Sequence, residues 1–179
     1  MKKALIIYCS FTGNTEKVAK SIETGLKQGG CDVTLLPVKD AGDVDFYDYD
    51  LVCFGVPSIN WYLPKPASDY LKDKFTKYKK EFGPVPPCAP AKPGKYALLF
   101  CTWSGPHTGI REAVPCVLAM EQYFEHFGFT VLDEWYVLSE FIGNLENSTL
   151  GRMGDIRGLP SESDLSRIVK QAENIVTRL

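Results

Sequence analysis

Ser10-Phe11-Thr12-Gly13-Asn14-Thr15 lies between an apolar run at residues 4–8 and an amphipathic run at residues 16–27. The first run has the length of a buried strand, and the second has the spacing of a helix that covers one face of a sheet. The small hydroxylated residues therefore occupy a turn from a strand into a helix. Backbone N–H groups at a helix N-terminus are unpaired and carry partial positive charge, so this turn predicts a phosphate site.

Other interpretations of the turn compete with a monophosphate site. A Walker loop would need a lysine followed by serine or threonine, which disfavours a triphosphate with magnesium. A tyrosine-phosphatase loop would use Cys9 as nucleophile, but position 15 holds Thr15 instead of the arginine that grips the phosphoryl group. A plain helix cap by Thr12 or Asn14 needs no ligand at all.

Strand and helix patterns alternate along the whole chain. Apolar runs at 4–8, 33–36, 51–54, 96–101 and 131–138 predict strands, and helical spacing appears near 15–28, 65–80, 111–127 and 162–178. Such β-α-β alternation predicts a mainly parallel α/β sheet, covered on both faces and connected by right-handed crossovers. Five strands fit the doubly wound order 2-1-3-4-5, whose ligand crevice lies at the carboxyl ends of the first and third strands. Residues 37–50 have little helical patterning, so the second helix is expected to be short.

The turn that follows the first strand resembles the phosphate loop of flavodoxins and of the wider flavodoxin-like flavoproteins, including their quinone and FMN reductases. Members of that superfamily bind FMN noncovalently, with the phosphate in this loop and the ring held by loops after the third and fourth strands. The resemblance implies one doubly wound, five-stranded, FMN-binding domain over residues 1–179. It also implies a set of phosphate-binding residues: Ser10, Thr12, Gly13, Asn14 and Thr15.

A second candidate loop, residues 55–64, follows the third predicted strand. Its Gly-x-Pro opening and its closing Pro64 resemble the loop that flavodoxin-like quinone reductases and multimeric FMN-binding oxidoreductases place against the isoalloxazine ring. The sequence leaves open which of Trp61 and Tyr62 faces the ring, or whether both pack on the next helix or form an oligomer contact. The residues expected near the ring are Pro57, Ser58, Ile59, Asn60, Trp61 and Tyr62.

A third loop follows the fourth predicted strand. In the relatives it supplies backbone N–H groups to the flavin's carbonyl and N1 region, where negative charge gathers on reduction. His107 could donate a proton or simply be exposed, and Trp103 could form a second wall beside the ring. The expected cofactor-binding residues of this loop are Thr102, Trp103, Ser104, Gly105 and His107.

Composition limits the remaining function classes. A chain of 179 residues with 45% hydrophobic and 23% charged residues fits one α/β core. The net charge of −2 argues against nucleic acid as a partner, and the apolar runs are too short for a membrane span or a signal peptide, so a cytoplasmic location is expected. No Cys/His spacing suggests a metal, and the six cysteines are expected to be reduced. Lysines at 72–80 predict a solvated face.

Three further segments lead to structural predictions. The Pro-rich segment 84–93 predicts a rigid connector. Residues 139–160 predict an ordered loop or a short excursion. Arg152 and Arg157 could hold a phosphate of NADPH or a partner's carboxylate, or pair locally with Asp155, which is the structural explanation. Ser161 and Asp164 form a plausible helix cap.

Two functions fit this sequence. The first is electron transfer between redox partner proteins, for which Asp40, Asp43, Asp45, Asp48 and Asp50 would provide steering charge. The alternative is an NAD(P)H-dependent reductase of quinones or flavins, acting on a small electron acceptor and often built as a homo-oligomer. No protein acid or base is required by either, so no catalytic residue is assigned.

Overall fold

The five apolar runs form one parallel sheet in the computed structural model, which describes residues 1–83, 85–88 and 90–179. The strand order is β2-β1-β3-β4-β5, with each strand parallel to its neighbours. This confirms the predicted fold class and order. The strands are β1 (Lys3–Tyr8), β2 (Asp32–Pro37), β3 (Leu51–Pro57), β4 (Tyr96–Trp103) and β5 (Thr130–Leu138).

Helices cover both faces of the sheet because their apolar stripes each pack on one side. One core contains Ile22 and Ile168, from the first and last helices, and the other contains Leu71 and Met120. The helices are α1 (Asn14–Gln28), α2 (Lys65–Phe82), α3 (Val114–His126), α4 (Leu145–Thr149) and α5 (Glu162–Ile175). Ser161 and Asp164 form a capping box at the start of α5, as expected.

The connection between β2 and β3 contains two 3-10 turns, Val38–Asp40 and Phe46–Asp48, where a short helix was expected. Side chains from neighbouring parts of the chain form hydrogen bonds with the backbone N–H and C=O groups of this connection. The Tyr78 hydroxyl accepts the Phe46 N–H at 2.8 Å, and the Lys95 ammonium donates to the carbonyls of Tyr47 and Tyr49. Phe46 itself is fully buried among aromatic rings.

Lys74 departs from the solvated face predicted for the lysines of α2. Its side chain is 3% exposed, and its ammonium donates to the Val44 carbonyl at 2.6 Å. The same ammonium lies 5.3 Å from the centre of the Tyr70 ring. Burial lowers the pKa of Lys74 from its ordinary value. The Lys74 side chain therefore links α2 to the connection between β2 and β3.

Replacing Lys74 by methionine is expected to lower the free energy of unfolding by about 1–3 kcal/mol, because the half-buried Val44 carbonyl loses its donor. Exposed Lys72 on the same helix offers a matched control, and Lys72→Met should change stability by less than about 0.5 kcal/mol. Urea unfolding of both variants measures the difference. Equal stabilities of the two variants would contradict the assigned role of Lys74.

The remaining sequence expectations have mixed outcomes. Arg157 pairs with Asp155, whose pKa this guanidinium lowers to about 2, whereas the backbone N–H of Arg152 donates to the Pro106 carbonyl.

The six cysteines are free thiols. Within the described ranges, no group of His, Cys, Asp or Glu side chains could hold a metal, and no helix is long and apolar enough to cross a membrane. Pro84 and Ala89 of the predicted connector lie outside the described residues.

Candidate functional site

A cleft of about 350 Å³ opens at the carboxyl ends of β1, β3 and β4. The connection after β1 leads to β2 on one side, and the connection after β3 leads to β4 on the other, so this edge is the reversal point at which doubly wound folds hold their ligands. All three predicted loops reach the cleft. The predicted residues that line it are Thr12, Asn14, Thr15, Pro57, Ser58, Ile59, Asn60, Trp61, Thr102, Trp103, Ser104 and His107. Ser10, Gly13, Tyr62 and Gly105 do not line it.

The first loop delivers an uncapped helix end to the cleft. Gly13 precedes α1 with φ of 95°, and no side chain caps the helix, so the alternative of a cap by Thr12 or Asn14 is wrong. The first helical bond runs from the Lys17 N–H to the Gly13 carbonyl, which leaves the N–H groups of residues 14–16 outside the helical ladder. Ser10 shapes the loop by accepting the Gly13 N–H on its hydroxyl at 3.2 Å.

The side chains of Asn14 and Thr15 tie this loop to others. The Asn14 amide donates to the Glu140 carbonyl at 3.1 Å, and the Thr15 hydroxyl lies 2.7 Å from the Thr102 hydroxyl. Both residues are buried. Because these side chains are already paired within the protein, the donors that remain for an anion here are mainly backbone N–H groups.

The second loop is a tight turn that carries a tryptophan. Ile59 and Tyr62 exchange backbone hydrogen bonds of 3.0 Å, and the residues between them, Asn60 and Trp61, have φ of 48° and 65°. Positive φ at both central positions is typical of type I′ hairpin turns and is rare for a bulky residue. Trp61 lines the cleft and is 61% exposed, whereas Tyr62 is 46% exposed and does not line the cleft.

The third loop is built around Trp103 and Glu112. A Cβ at Gly105 would lie 2.6 Å from the Trp103 ring, so this glycine makes room for the tryptophan and does not border the cleft. The Glu112 carboxylate accepts the N–H groups of His107 and Thr108 at 2.8 and 2.6 Å. These two N–H groups are therefore engaged within the protein, whereas the expectation was that backbone donors of this loop face a ligand.

A fourth wall comes from the segment that follows β5, which the sequence analysis did not assign to the site. The Ser139 N–H donates to the Trp103 carbonyl, and the Ser104 hydroxyl donates to the Ser139 carbonyl at 2.8 Å. The apolar pair Phe141-Ile142, separated from the end of β5 by two residues, was the available signal. The lining residues missed from the sequence are Phe11, Pro106, Glu112, Ser139, Glu140, Phe141, Ile142 and Asn147.

Charge at the cleft comes from few groups. Its lining contains no lysine or arginine, and the only basic side chain is that of His107. Of its two acids, Glu112 is bonded to backbone N–H groups, and Glu140 accepts the Gly158 N–H at 2.9 Å. An anion would therefore be held by neutral donors at the start of α1.

The comparisons with known proteins agree with this geometry. The sequence model of the family described as Flavodoxin matches residues 6–84, which include the first two loops of the cleft. Flavodoxin 1 from Bacillus cereus superposes with a TM-score of 0.68 at 16% identity, over 99% of both chains. A flavodoxin from the domain Archaea gives 0.66 at 16% identity, over 98% of this chain and 97% of that chain.

The likeness in sequence to that family covers residues 6–84, and the two solved structures show that the chain shares the flavodoxin-like fold. It also resembles part of a larger protein, the Flv1 flavodiiron core from Synechocystis sp. PCC6803, with a TM-score of 0.61 at 17% identity. That match covers 99% of this chain but 36% of the other. The cofactor expected from the sequence is FMN.

The residues of this flavodoxin-like chain fit FMN chemically. The uncapped start of α1 suits a phosphate, since helix N-termini bind anions without needing a cation. The apolar side chains of Phe11, Trp61, Phe141 and Ile142 suit a flat heteroaromatic ring.

The aspartates expected to surround the cleft lie largely elsewhere. Asp50 precedes β3, where its carboxylate accepts the Lys3 N–H at 2.8 Å, so it stands at the amino edge of the sheet. Asp45 accepts the Tyr78 hydroxyl near the end of α2, at that same edge. Asp40 ends the 3-10 turn that directly follows β2, at the carboxyl edge of the sheet. The connection of residues 38–50 crosses the sheet from one edge to the other, and its acids are spread along it.

Proposed function

We propose that this protein binds FMN in the cleft and acts in electron transfer between redox partners. The observation that carries the proposal is a single cleft that combines an uncapped helix N-terminus with an exposed tryptophan on a tight turn. FMN, when bound, accepts electrons in pairs and releases them singly or in pairs. The proposed unit is one domain over residues 1–179 working in the cytoplasm, where its free thiols would stay reduced.

The phosphate would be held by the backbone of the first loop. The N–H groups of Asn14, Thr15 and Glu16 are the donors left over by the helix, and the Thr12 hydroxyl lies at the same end of the cleft. Ser10 and Gly13 fix the loop's shape. The ionised phosphate would also gain from the partial positive charge at the start of α1.

The ring would lie against the second and third loops. Trp61 offers an aromatic plane at one side, and Asn60 beside it offers an amide to the ring's polar edge. Hydrogen bonds from Ser58 to the Thr102 and Glu112 carbonyls join the two loops, so the walls of the slot are fixed relative to one another. Water would be excluded mainly by Trp103 and Phe141.

Titration of the purified protein with FMN and with riboflavin tests the proposal. Fluorescence quenching should show FMN binding at least about tenfold more tightly than riboflavin, because only FMN carries the phosphate and about 1.4 kcal/mol corresponds to tenfold. Inorganic phosphate should compete with FMN but not with riboflavin. Equal affinities for the two flavins would contradict the proposal that the first loop binds the phosphate.

One observation favours the reductase alternative. The acids that would steer a protein partner lie largely at the far edge of the sheet, so the cleft lacks a strong field of one sign. A small donor such as NAD(P)H needs no such field. Adding NADH or NADPH to the FMN-loaded protein without oxygen separates the two functions, since rapid bleaching of the flavin band would favour the reductase and an unchanged band would favour the carrier.

A further inference from the structure

Strand β5 stands at one edge of the sheet, where it pairs with β4 alone. The Ser139 N–H, directly after β5, donates to the Trp103 carbonyl at the end of β4. Backbone groups alternate between the two sides of a strand, so those of residues 133, 135 and 137 also face β4. Those of residues 134, 136 and 138 therefore face away from the sheet.

Neighbouring side chains occupy only the first part of this outward side. The Arg178 guanidinium donates to the Leu132 carbonyl at 2.8 Å, and the Asp133 carboxylate accepts the N–H of the next residue at 2.9 Å. Among the described residues, no group bonds the backbone N–H or C=O of Tyr136 or of Leu138 on this side. Such a row of unpaired backbone groups can pair with another extended segment. Residues 134–138 form the open stretch.

A groove of about 570 Å³ runs along the open stretch, and we call it the β5 groove. Every residue from 133 to 138 lines it. Successive side chains of a strand point to opposite faces, so a groove that touches all six must follow the edge of β5 and not one face of the sheet. Its other wall consists of Leu159 and of four residues of α5, namely Asp164, Arg167, Ile168 and Gln171. An extended segment therefore has room beside β5.

The two faces of the sheet present different surroundings to a segment in the β5 groove. On the face covered by α5, Trp135 and Ile168 belong to one apolar core and line the groove. On the face covered by α3, Tyr136 packs against the other core, and its hydroxyl donates to the Glu134 carboxylate at 2.8 Å. Side chains of a bound strand alternate between these two faces. One set would therefore meet an apolar wall and the other a carboxylate.

Negative charge is in excess on the α3 side of the β5 groove. Burial raises the pKa of Glu121 on α3, and the negative charges of Glu134 and Glu125 raise it further, so these three carboxylates are near one another. Across the described residues, Glu134 forms no ion pair, whereas Asp164 on the α5 side is paired with Arg167 at 2.6 Å. Opposite charges on adjacent strands attract, and a positive surface complements a negative one. A segment with basic side chains toward α3 is therefore favoured.

We propose that the β5 groove binds an extended segment of a partner protein in which apolar and basic side chains alternate. The backbone of that segment pairs with residues 134–138 and adds a sixth strand to the sheet. Its apolar side chains pack on Trp135 and Ile168, and its basic side chains face Glu134. A second copy of this chain fits less well, because a twofold contact would bring together two surfaces with the same excess of acids. Such docking requires no ligand in the cleft.

Titration of the full chain with a blocked heptapeptide that alternates valine and lysine tests the proposal. Amide hydrogen exchange, followed by NMR at saturating peptide, should slow by at least about tenfold at Tyr136 and Leu138, because their N–H groups gain acceptors. The amides of Trp135 and Val137 are internal references, since they face β4 and should exchange slowly with and without peptide. The same peptide with glutamate in place of lysine should bind at least about tenfold more weakly.

A substitution in the groove separates the charge contribution from the backbone pairing. Glu134→Gln should weaken binding of the lysine peptide about threefold, because it removes one negative charge but keeps an oxygen for the Tyr136 hydroxyl. Asp32→Asn is the matched control, since Asp32 is an exposed acid at the start of β2, the opposite edge strand. This control should leave the peptide affinity unchanged.

Three results would overturn the docking site. The first is equal affinity for the lysine and glutamate peptides, or no binding of either. The second is peptide binding that leaves the amides of Tyr136 and Leu138 exchanging as fast as in the free protein. The third is slow exchange of these two amides without peptide, together with a mass by light scattering of twice the 20.0 kDa of one chain. That outcome would assign the β5 edge to a second copy of the chain.

Discussion

Gly13→Val is expected to weaken FMN binding by about tenfold or more, because a β-branched residue at positive φ costs about 1–3 kcal/mol. Gly13 holds φ of 95° and has no atom within 4 Å of where a Cβ would stand, so the effect is conformational and involves no clash. In the free protein the loop would relax away from this conformation. FMN would then have to restore it to bring the N–H groups of α1 onto the phosphate.

Gly30→Val is the matched control for this prediction. Gly30 follows the opposite end of α1 with φ of 88°, and a Cβ there would also meet nothing within 4 Å. Both variants should lose similar stability in thermal unfolding, but only Gly13→Val should lose FMN affinity. Riboflavin affinity should be unchanged in both. If Gly13→Val also lost riboflavin affinity, the first loop would contact the ring. That result would contradict its assignment to the phosphate.

The fold could be predicted from the sequence because its signals are local and repeated. The five strands appear within a few residues of their predicted positions, since each contains a run of apolar residues, and the inner strands, such as Leu51–Phe54 in β3, are buried on both faces. Parallel pairing and crossover handedness then restrict the order. The connection 38–50 also agreed in part, because the weak helical pattern there corresponds to two 3-10 turns.

The site could be predicted only where a loop directly follows a strand of the central sheet. Which side chains face the cleft depended on contacts distant in sequence, such as the bond between Thr15 and Thr102 or that between Asn14 and Glu140. Glu112 could not be assigned for the same reason, because its carboxylate bonds a loop that precedes it. Burial of Lys74 was likewise invisible, since lysines at helical spacing ordinarily face solvent.

Trp61→Ala is expected to weaken FMN binding by a few hundredfold, at about 1.4 kcal/mol for each factor of ten. Covering roughly 100 Å² of apolar surface contributes about 2.5 kcal/mol, and stacking adds about 0.5–1.5 kcal/mol. The flavin's reduction potential should rise, because an aromatic wall disfavours the negative charge that reduction adds. The stability of the free protein should not fall, since Trp61 is largely exposed and its positive φ is a strained conformation for a large residue.

Tyr62→Ala separates the two aromatic residues that the sequence left undecided. Tyr62 lies beside Trp61 on the same turn but outside the cleft, so its replacement should change FMN affinity by less than about threefold, or about 0.6 kcal/mol. Equilibrium titration of FMN and spectroelectrochemistry of both variants give the affinities and potentials. If Tyr62→Ala costs more affinity than Trp61→Ala, the turn must rotate when the cofactor binds. That result would assign the ring contact to Tyr62 and make the positive φ of Trp61 a feature of the free protein alone.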